Sequence, residues 1–585
     1  MKFLGNVLAT LVGLFIFFML FFFGIVMIGV IAGSGSEKVV VNNNSVIVLD
    51  LAEVNRDYAG KARYTDFDYY EVNNDGLTDV IKAIEYAKTD KSIKGISIIN
   101  SDSKLGAAQT NWLRSAIEDF KTSKKFVYAY GDEMTQGEYF LNSVADSIYL
   151  NPVGGLDFKG LSAELMFFKD LQEKSGIKME VIRHGKYKSA VEPFLQNEMS
   201  DANREQVTTM LQTSWNVILE QVSRSRKISK DRLNAIADDL QARTPEMAKA
   251  ENLIDVVAYE DIYHNQIRKK LNIEKDKEYK SIDIVAYAKN VATTSKTLGS
   301  DRIAVIYAQG QIMGGEGDVS YIGEGSMRRA IKEAREDDNV KAIVLRVDSP
   351  GGSALTSDLI WREVELTKGI KPIVVSMGNV AASGGYYISC NADMIFAEPN
   401  TITGSIGVFG VLPNFTKLSN RIGIHTQQIK TNKNSADYSP FLPLDATMRA
   451  ATQSDVERIY SIFVSRVADG RNMTAEQVDA IGQGRVWTGA DALGIGLVDK
   501  LGSLDDAVAQ AAKMAKIDKY STRSYPEYEK SFKDLFASLM PSFISSKAIL
   551  EKEIGAENYQ LIQDIKNATN QRGVQLLMPY QLKVK

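Results

Sequence analysis

Gly384-Gly-Tyr-Tyr387, followed by Ala392-Asp-Met-Ile-Phe396 and Pro399, has a counterpart upstream in the same chain: Gly137-Glu-Tyr-Phe140, Ala145-Asp-Ser-Ile-Tyr149 and Pro152. Every pair is separated by 247 positions. The same offset carries Ala83-Ile84 onto Ala330-Ile331, Ile96 onto Ile343, Pro193-Phe194 onto Pro440-Phe441 and Gln206 onto Gln453. Leu253-Ile-Asp255 and Leu497-Val-Asp499 close the two copies at an offset of 244, so about three residues were lost between them. A period of domain size means a tandem duplication and excludes a solenoid of short repeats.

Each copy alternates short apolar runs with helical patterns. Lys341-Ala-Ile-Val-Leu-Arg-Val347 and Pro372-Ile-Val-Val-Ser-Met377 are β-branched and lead into glycine-rich turns, as buried strands do. Amphipathic patterns follow over 326–336 and 358–368, with longer ones over 201–222 and 446–468. This alternation predicts an α/β fold with largely parallel sheets, built as two repeat domains over 46–271 and 301–516. The charged stretch 272–300 reads as a linker. Residues 517–585 read as a mostly helical tail with no counterpart in the first copy and no legible role.

Composition excludes several classes of function. The chain has 585 residues, 44% apolar and 24% charged, which suits several globular domains. A formal net charge of −4 argues against a nucleic-acid binder. One cysteine, Cys390, rules out an internal disulfide framework and a thiolate zinc cluster. With three histidines (His184, His264 and His425), neither a metal nor a cofactor is expected.

Residues 8–32 form a stretch of 25 without a charge. At 1.5 Å per residue this is long enough to span a hydrocarbon core of about 30 Å. A membrane anchor over 1–33 is therefore expected, touching lipid through 8–32. The stretch exceeds the ~7–15 apolar residues of a cleaved secretory signal, which favours an uncleaved anchor. Lys2 and the amino terminus carry the only charge on the short side. The positive-inside rule then puts that end in the cytoplasm and the repeat domains on the extracytoplasmic, periplasmic face of the plasma (inner) membrane.

In the second copy, Val380-Ala-Ala-Ser383-Gly-Gly-Tyr386 lies between an expected strand and an expected helix. Ser383 would occupy the turn, where free backbone N–H groups and the helix dipole favour developing negative charge. Gly384, lacking a β-carbon, lets a carbonyl approach the amide just after that serine. A second turn, Asp348-Ser-Pro-Gly351-Gly352, follows another strand at the carboxyl edge of the sheet, where ligand sites of α/β folds collect. Gly351 or Gly352, with Gly384, would form a two-donor oxyanion hole. Neither turn carries a phosphate-loop or dinucleotide fingerprint.

A serine nucleophile needs a base. His425 lies in a strand-like stretch and His264 in a polar helix, both ordinary positions. The duplication selects Lys188 instead. At the fixed offset the first copy has Gln136 in place of Ser383, and Lys104-Leu105 in place of Gly351-Gly352. The second copy has Ser435 in place of Lys188. Each copy lacks what the other keeps, so one composite site is expected, with Ser383 from the second copy and Lys188 from the first. Lysine must be neutral to act as a base, which burial between the copies would supply.

These residues resemble the signal peptide peptidase SppA family in its long, duplicated form. The likeness covers nearly the whole chain and is most specific at Gly185-Lys-Tyr-Lys188-Ser-Ala-Val-Glu-Pro-Phe194, Asp348-Ser-Pro-Gly-Gly352, Ala381-Ala-Ser383-Gly-Gly-Tyr386 and Thr403-Gly-Ser405-Ile-Gly-Val-Phe-Gly410. The resemblance implies a membrane-bound serine endopeptidase of Clp protease/crotonase-like fold that cuts signal peptides after their release. It implies Ser383 as nucleophile, Lys188 as general base and Ser405 as the hydroxyl that holds the lysine amine. It also implies a ring-like homotetramer with its sites facing an inner chamber. A tethered enzyme would meet apolar peptides held at the membrane, in pockets suited to apolar or small side chains. Two other readings compete: a crotonase-like acyl-CoA enzyme and a catalytically inactive membrane scaffold.

Overall fold

In the computed structural model, which describes residues 2–33, 39–64, 69–100, 103–275, 277–294, 300–530 and 575–577, the chain divides into two units, residues 1–42 and 43–585. The first unit holds one helix, Lys2–Gly33, whose described side chains are exposed, Phe15 at 71% and Leu20 at 66%. Side chains are described along only part of this helix. Among the described residues no helix is long and apolar enough to cross a membrane.

In the second unit each copy builds a sheet. Among the described residues the first copy's sheet is wholly parallel, in the order Val256–Val257, Ser147–Leu150, Phe126–Gly131, Ile93–Ile99, Ser45–Leu49, Ser281–Asp283. The second runs Val486–Thr488, Ile402–Gly404, Ile373–Ala382, Val340–Ser349, Arg302–Gln309, Ser521–Tyr525, parallel except for its first pair. The strand Met394–Ala397 branches from Ile373–Ala382. Central strands such as Val340–Ser349 are buried along nearly their whole length because helices cover both faces, so they read as unbroken apolar runs. The helices fall close to their expected places, at Asp201–Arg226, Glu324–Glu336, Ala354–Thr367 and Ala446–Arg471.

Two expectations are corrected. The stretch 272–300 is no plain linker, since Ser281–Asp283 extends the first sheet beside Ser45–Leu49. The helix Ile284–Thr294 then packs against Leu77–Ala87. Its buried Ile284, Tyr287, Ala288 and Val291 follow helical spacing, a short apolar stripe hidden between charged flanks. The start of the tail is not helical either. Ser521–Tyr525 adds a parallel strand beside Arg302–Gln309, and Glu527–Lys530 pairs with Lys61–Tyr64 of the first copy. Each segment takes its extended form from the strand it pairs with, and Tyr525 and Tyr528 are buried there. The helical expectation for 531–574 and 578–585 lies outside the described residues.

The copies interlock through buried polar groups. Arg346, on a second-copy strand, donates to Asp57 of the first copy at 2.6 Å, and neither side chain has any exposure. The same guanidinium donates to Ser376 Oγ and the Met377 carbonyl at 2.9 and 2.8 Å. First-copy Asn111 donates to second-copy Glu398 at 2.6 Å.

Candidate active site

The strand Ile373–Ala382 runs farther than its apolar core suggests and stops directly at Ser383. Ser383 adopts φ 55° and ψ −114°, an unusual backbone for a side chain-bearing residue, and opens the short helix Gly384–Tyr387. Strain of this kind persists only where the surroundings enforce it. Here the Ser383 N–H donates to the Gly404 carbonyl at 2.8 Å and Thr403 Oγ1 donates to the Ala381 carbonyl at 2.7 Å. The turn is thereby tied to the next strand, and the serine is fully buried.

Lys188 arrives from the other copy. The strand Lys178–His184 leaves the first copy and pairs antiparallel with Val408–Asn414 of the second, from Val408 opposite His184 to Asn414 opposite Lys178. Past Gly185 the chain is pinned by the Tyr187 N–H donating to the Gln483 carbonyl at 2.9 Å. Lys188 Nζ then lies 2.9 Å from Ser383 Oγ, 2.9 Å from Ser405 Oγ and 3.2 Å from the Ser405 carbonyl. The lysine has no exposure. Burial holds its amine well below the ordinary lysine range. A neutral amine has two N–H donors and one lone pair, which matches two Ser405 acceptors and one Ser383 hydroxyl donor.

The two glycine turns abut. A Cβ on Gly384 would lie 3.2 Å from Gly352 N and 3.1 Å from Gly351 Cα. The Gly351 N–H donates to Ser349 Oγ at 3.2 Å, so Gly352 is the better second donor beside Gly384. Gly351 is itself needed as glycine. Its φ is 97°, and a Cβ there would sit 2.7 Å from Gly384 N.

The six residues singled out in the sequence therefore converge. The first copy's corresponding site is plugged: Gln136 donates to the Gly160 carbonyl at 3.0 Å and accepts from the Lys159 and Gly160 amides. Buried Phe158 stands at the Ser405 position. The histidines are engaged elsewhere, His184 with Glu457, His264 with Tyr279 and His425 with Asn420. One contributor escaped the sequence reading. Buried Gln206 donates to the Tyr187 carbonyl at 3.2 Å and accepts from the Val486 N–H at 3.3 Å, clamping the lysine turn onto the second copy. Its only signal was its place in the repeat register. Among the described residues no cluster of metal-ligating side chains is present.

The family model described as "Peptidase family S49" matches residues 119–274 and 365–518. The chain is 38% identical to "Protease 4" of Salmonella typhi over 496 residues, 83% of this chain and 79% of that protein. It is 33% identical to the chloroplastic serine protease SPPA of Arabidopsis thaliana over 441 residues, 74% of this chain and 64% of that one. Among solved structures, a ClpP1 variant from Listeria monocytogenes aligns over 35% of this chain and 94% of its own, at 14% identity and a TM-score of 0.24.

Proposed function

Because the chain belongs to peptidase family S49 and is a serine peptidase, we propose that it cleaves released signal peptides and similar apolar peptides with Ser383 as nucleophile and Lys188 as general base. The observation that carries this reading is the contact of a fully buried lysine amine, 2.9 Å from a strained serine hydroxyl. Membership of a peptidase family favours this reading over the acyl-CoA and inert-scaffold alternatives.

Catalysis begins when neutral Lys188 takes the Ser383 proton and Oγ attacks the scissile carbonyl carbon. The carbonyl π pair moves onto oxygen, where the Gly352 and Gly384 amides receive it. Collapse breaks the C–N bond, and the Lys188 ammonium returns its proton to the leaving amine. Water then repeats the sequence on the acyl-enzyme, with Lys188 again taking the proton, and Ser383 is restored. Ser405 keeps the amine aimed throughout.

We assign residues 1–33 as a single-pass anchor in lipid through 8–32, with the amino terminus cytoplasmic and the catalytic unit periplasmic. The charge-free run and the exposure of its described side chains support this. We further propose assembly into a ring of four, for which the repeat supplies a candidate contact. Shifted by 247, the inter-copy pair Lys178–His184 and Val408–Asn414 becomes 425–431 and 161–167. Neither of these segments is in a strand, and Ile429 and Met166 are exposed at 102% and 68%. Residues 425–431 of one protomer would lie along 161–167 of the next, a heterologous contact of the kind from which rings are built. That register sets residue 163 opposite 429, so Ala163→Cys combined with Ile429→Cys should cross-link protomers on oxidation; a cross-link confined within one chain would refute the arrangement.

The catalytic reading is tested with a fluorogenic apolar peptide and full-length chain in detergent. Ser383→Ala and Lys188→Ala should each lower kcat about 10³-fold or more. Turnover that survives Lys188→Ala would require another base and would undo the composite site.

A further inference from the structure

Lys104 and Leu105 stand where the second copy keeps its glycine pair, and the proposed mechanism gives them no task. A cavity of about 470 Å³ opens between the copies, and Lys104 lines it together with Arg56 of the first copy and Pro350, Val380 and Ile402 of the second. Each of these three second-copy residues sits just ahead of a candidate catalytic group. Pro350 precedes Gly351, Val380 lies three residues before Ser383, and Ile402, paired with Val380 across the sheet, lies three before Ser405. At about 3.3 Å per strand residue, Val380 is within about 10 Å of Ser383, a span of two to three residues of extended peptide.

The cavity wall is fixed where the copies meet. Asn379 Oδ1 accepts from the Ala108 and Gln109 amides at 3.1 and 3.2 Å, so the second copy caps the first-copy helix Ala107–Lys121. Gly106 lets that side chain close in, since a Cβ there would lie 2.4 Å from Asn379 Oδ1. Lys104 is thus held two residues before a fixed point. Arg56 is braced in turn, its Nε donating to Asn55 Oδ1 at 2.9 Å and a terminal nitrogen donating to the Val319 carbonyl at 3.3 Å. Among the described residues Asp348 is the one carboxylate lining the cavity, and its oxygens accept from the Val380 amide at 2.9 Å and from Asn379 Nδ2 at 3.3 Å. Neither Lys104 nor Arg56 forms an ion pair among the described residues. The cavity therefore offers two uncommitted positive charges beside apolar Pro350, Val380 and Ile402.

We propose that this cavity is a subsite on the leaving side of the scissile bond and holds a carboxylate of the substrate, so that the enzyme trims peptides from a free carboxyl end by two or three residues at a time. The inference rests on Ser383 being the nucleophile, since the reach from that residue sets the length removed. With the terminal carboxylate seated by Lys104 and Arg56, the carbonyl under attack lies two or three residues upstream. Its C–N bond breaks, and the leaving amine takes its proton from Lys188 and departs as a dipeptide or tripeptide. Water then releases the remainder from Ser383 as an acid. That product ends in a new carboxylate and is itself a substrate for the next cut. A carboxylate held by charged donors at a partly dry site gains about tenfold in affinity over an uncharged end. An acidic side chain near the end of the substrate offers the same chemistry.

The test reads turnover and binding separately. In the first arm, full-length chain in detergent is given one apolar decapeptide as the free acid, as the carboxamide, and as the carboxamide with a glutamate in the last position. Mass spectrometry of the products locates each cut. The free acid should be cleaved two or three residues from its end, with kcat/KM about tenfold above that of the carboxamide. The glutamate peptide separates the two sources of the group: a restored rate means that any carboxylate serves, and no restoration assigns the subsite to the terminal one. Lys104 is exposed, so substituting it removes no core contact. Lys104→Glu should bring the acid-to-amide ratio to one or below, and Lys104→Arg should keep it. The ratio is its own control for folding. Equal rates for acid and amide in the wild type, or a ratio that survives Lys104→Glu, overturns the proposal. In the second arm, the same acid and amide carrying an amino-terminal fluorescein are titrated by anisotropy into Ser383→Ala chain with and without Lys104→Glu. The acid should bind about tenfold more tightly than the amide, and only where Lys104 is present. Absence of turnover in every form, with Ser383 refractory to a fluorophosphonate, would sink the nucleophile reading, while the anisotropy arm still decides whether the cavity holds a carboxylate.

Discussion

Replacing Ser405 with alanine isolates what holds the proposed general base, Lys188, in position. The Lys188 amine has two acceptors on Ser405, the carbonyl at 3.2 Å and the hydroxyl at 2.9 Å, and no exposure to water. Ser405→Ala removes the second acceptor and leaves one N–H of a buried amine without a partner. Such an orphaned group costs about 1–3 kcal/mol. With tenfold in rate per 1.36 kcal/mol, this predicts a fall in kcat of about 5- to 150-fold. KM should change little, because the hydroxyl faces lysine and not substrate. The ammonium, with three protons to place, loses more than the neutral amine, so the ascending limb of the pH–rate profile, which follows lysine deprotonation, should move to lower pH. Ser405 also has φ 51°, so Ser405→Gly serves as a control that relieves the backbone while still lacking the hydroxyl. Steady-state kinetics of both variants across pH decide the matter. Kinetics within twofold of wild type at every pH, or a loss confined to KM, would refute the positioning role.

The buried lysine makes a paired prediction on activity and stability. Because burial depresses its pKa, kcat/KM should rise with pH along a limb lying below the ordinary lysine range, and activity should be lost as pH falls through it. The unfolded chain binds the proton that the folded chain excludes, so this group makes stability increase with pH until the ordinary lysine range is reached. Lys188→Met should therefore abolish turnover yet raise Tm at neutral pH, with the gain shrinking as pH approaches that range; a gain independent of pH would contradict the assignment. The interlock between copies is probed by Asp57→Ala, which strands the Arg346 guanidinium with no exposure. Breaking such a pair costs about 3–5 kcal/mol, and urea unfolding that reports a loss under about 1 kcal/mol would show that neighbouring carboxylates take over.

Much of the site was legible because duplication writes long-range information into a linear offset. Ser383 against Gln136, and Lys188 against Ser435, marked complementary losses without any knowledge of the fold. The choice between Gly351 and Gly352 was not legible. It depends on which N–H the Ser349 hydroxyl captures, which is a matter of tertiary geometry. Gln206 was equally hidden, since a glutamine in a helix carries no chemical signature until its amide is seen bridging the Tyr187 carbonyl and the Val486 amide. The strands at 281–283 and 521–525 were missed because short edge segments owe their conformation to a neighbouring sheet more than to their own pattern.

The sequence by itself determined the duplication, the alternation of strands and helices, the apolar amino-terminal run and the choice of candidate nucleophile and base. All of these are periodicities or residue types that survive in one dimension. Only the tertiary structure decided that a strand of the first copy crosses to pair with the second, carrying Lys188 to within 2.9 Å of a serine 195 residues away. It also decided that this amine is dry, and that residues 575–577 pair with the glycine strand Gly351–Ser353. Desolvation and strand pairing are collective properties of surfaces brought together by folding, so no local stretch of sequence contains them.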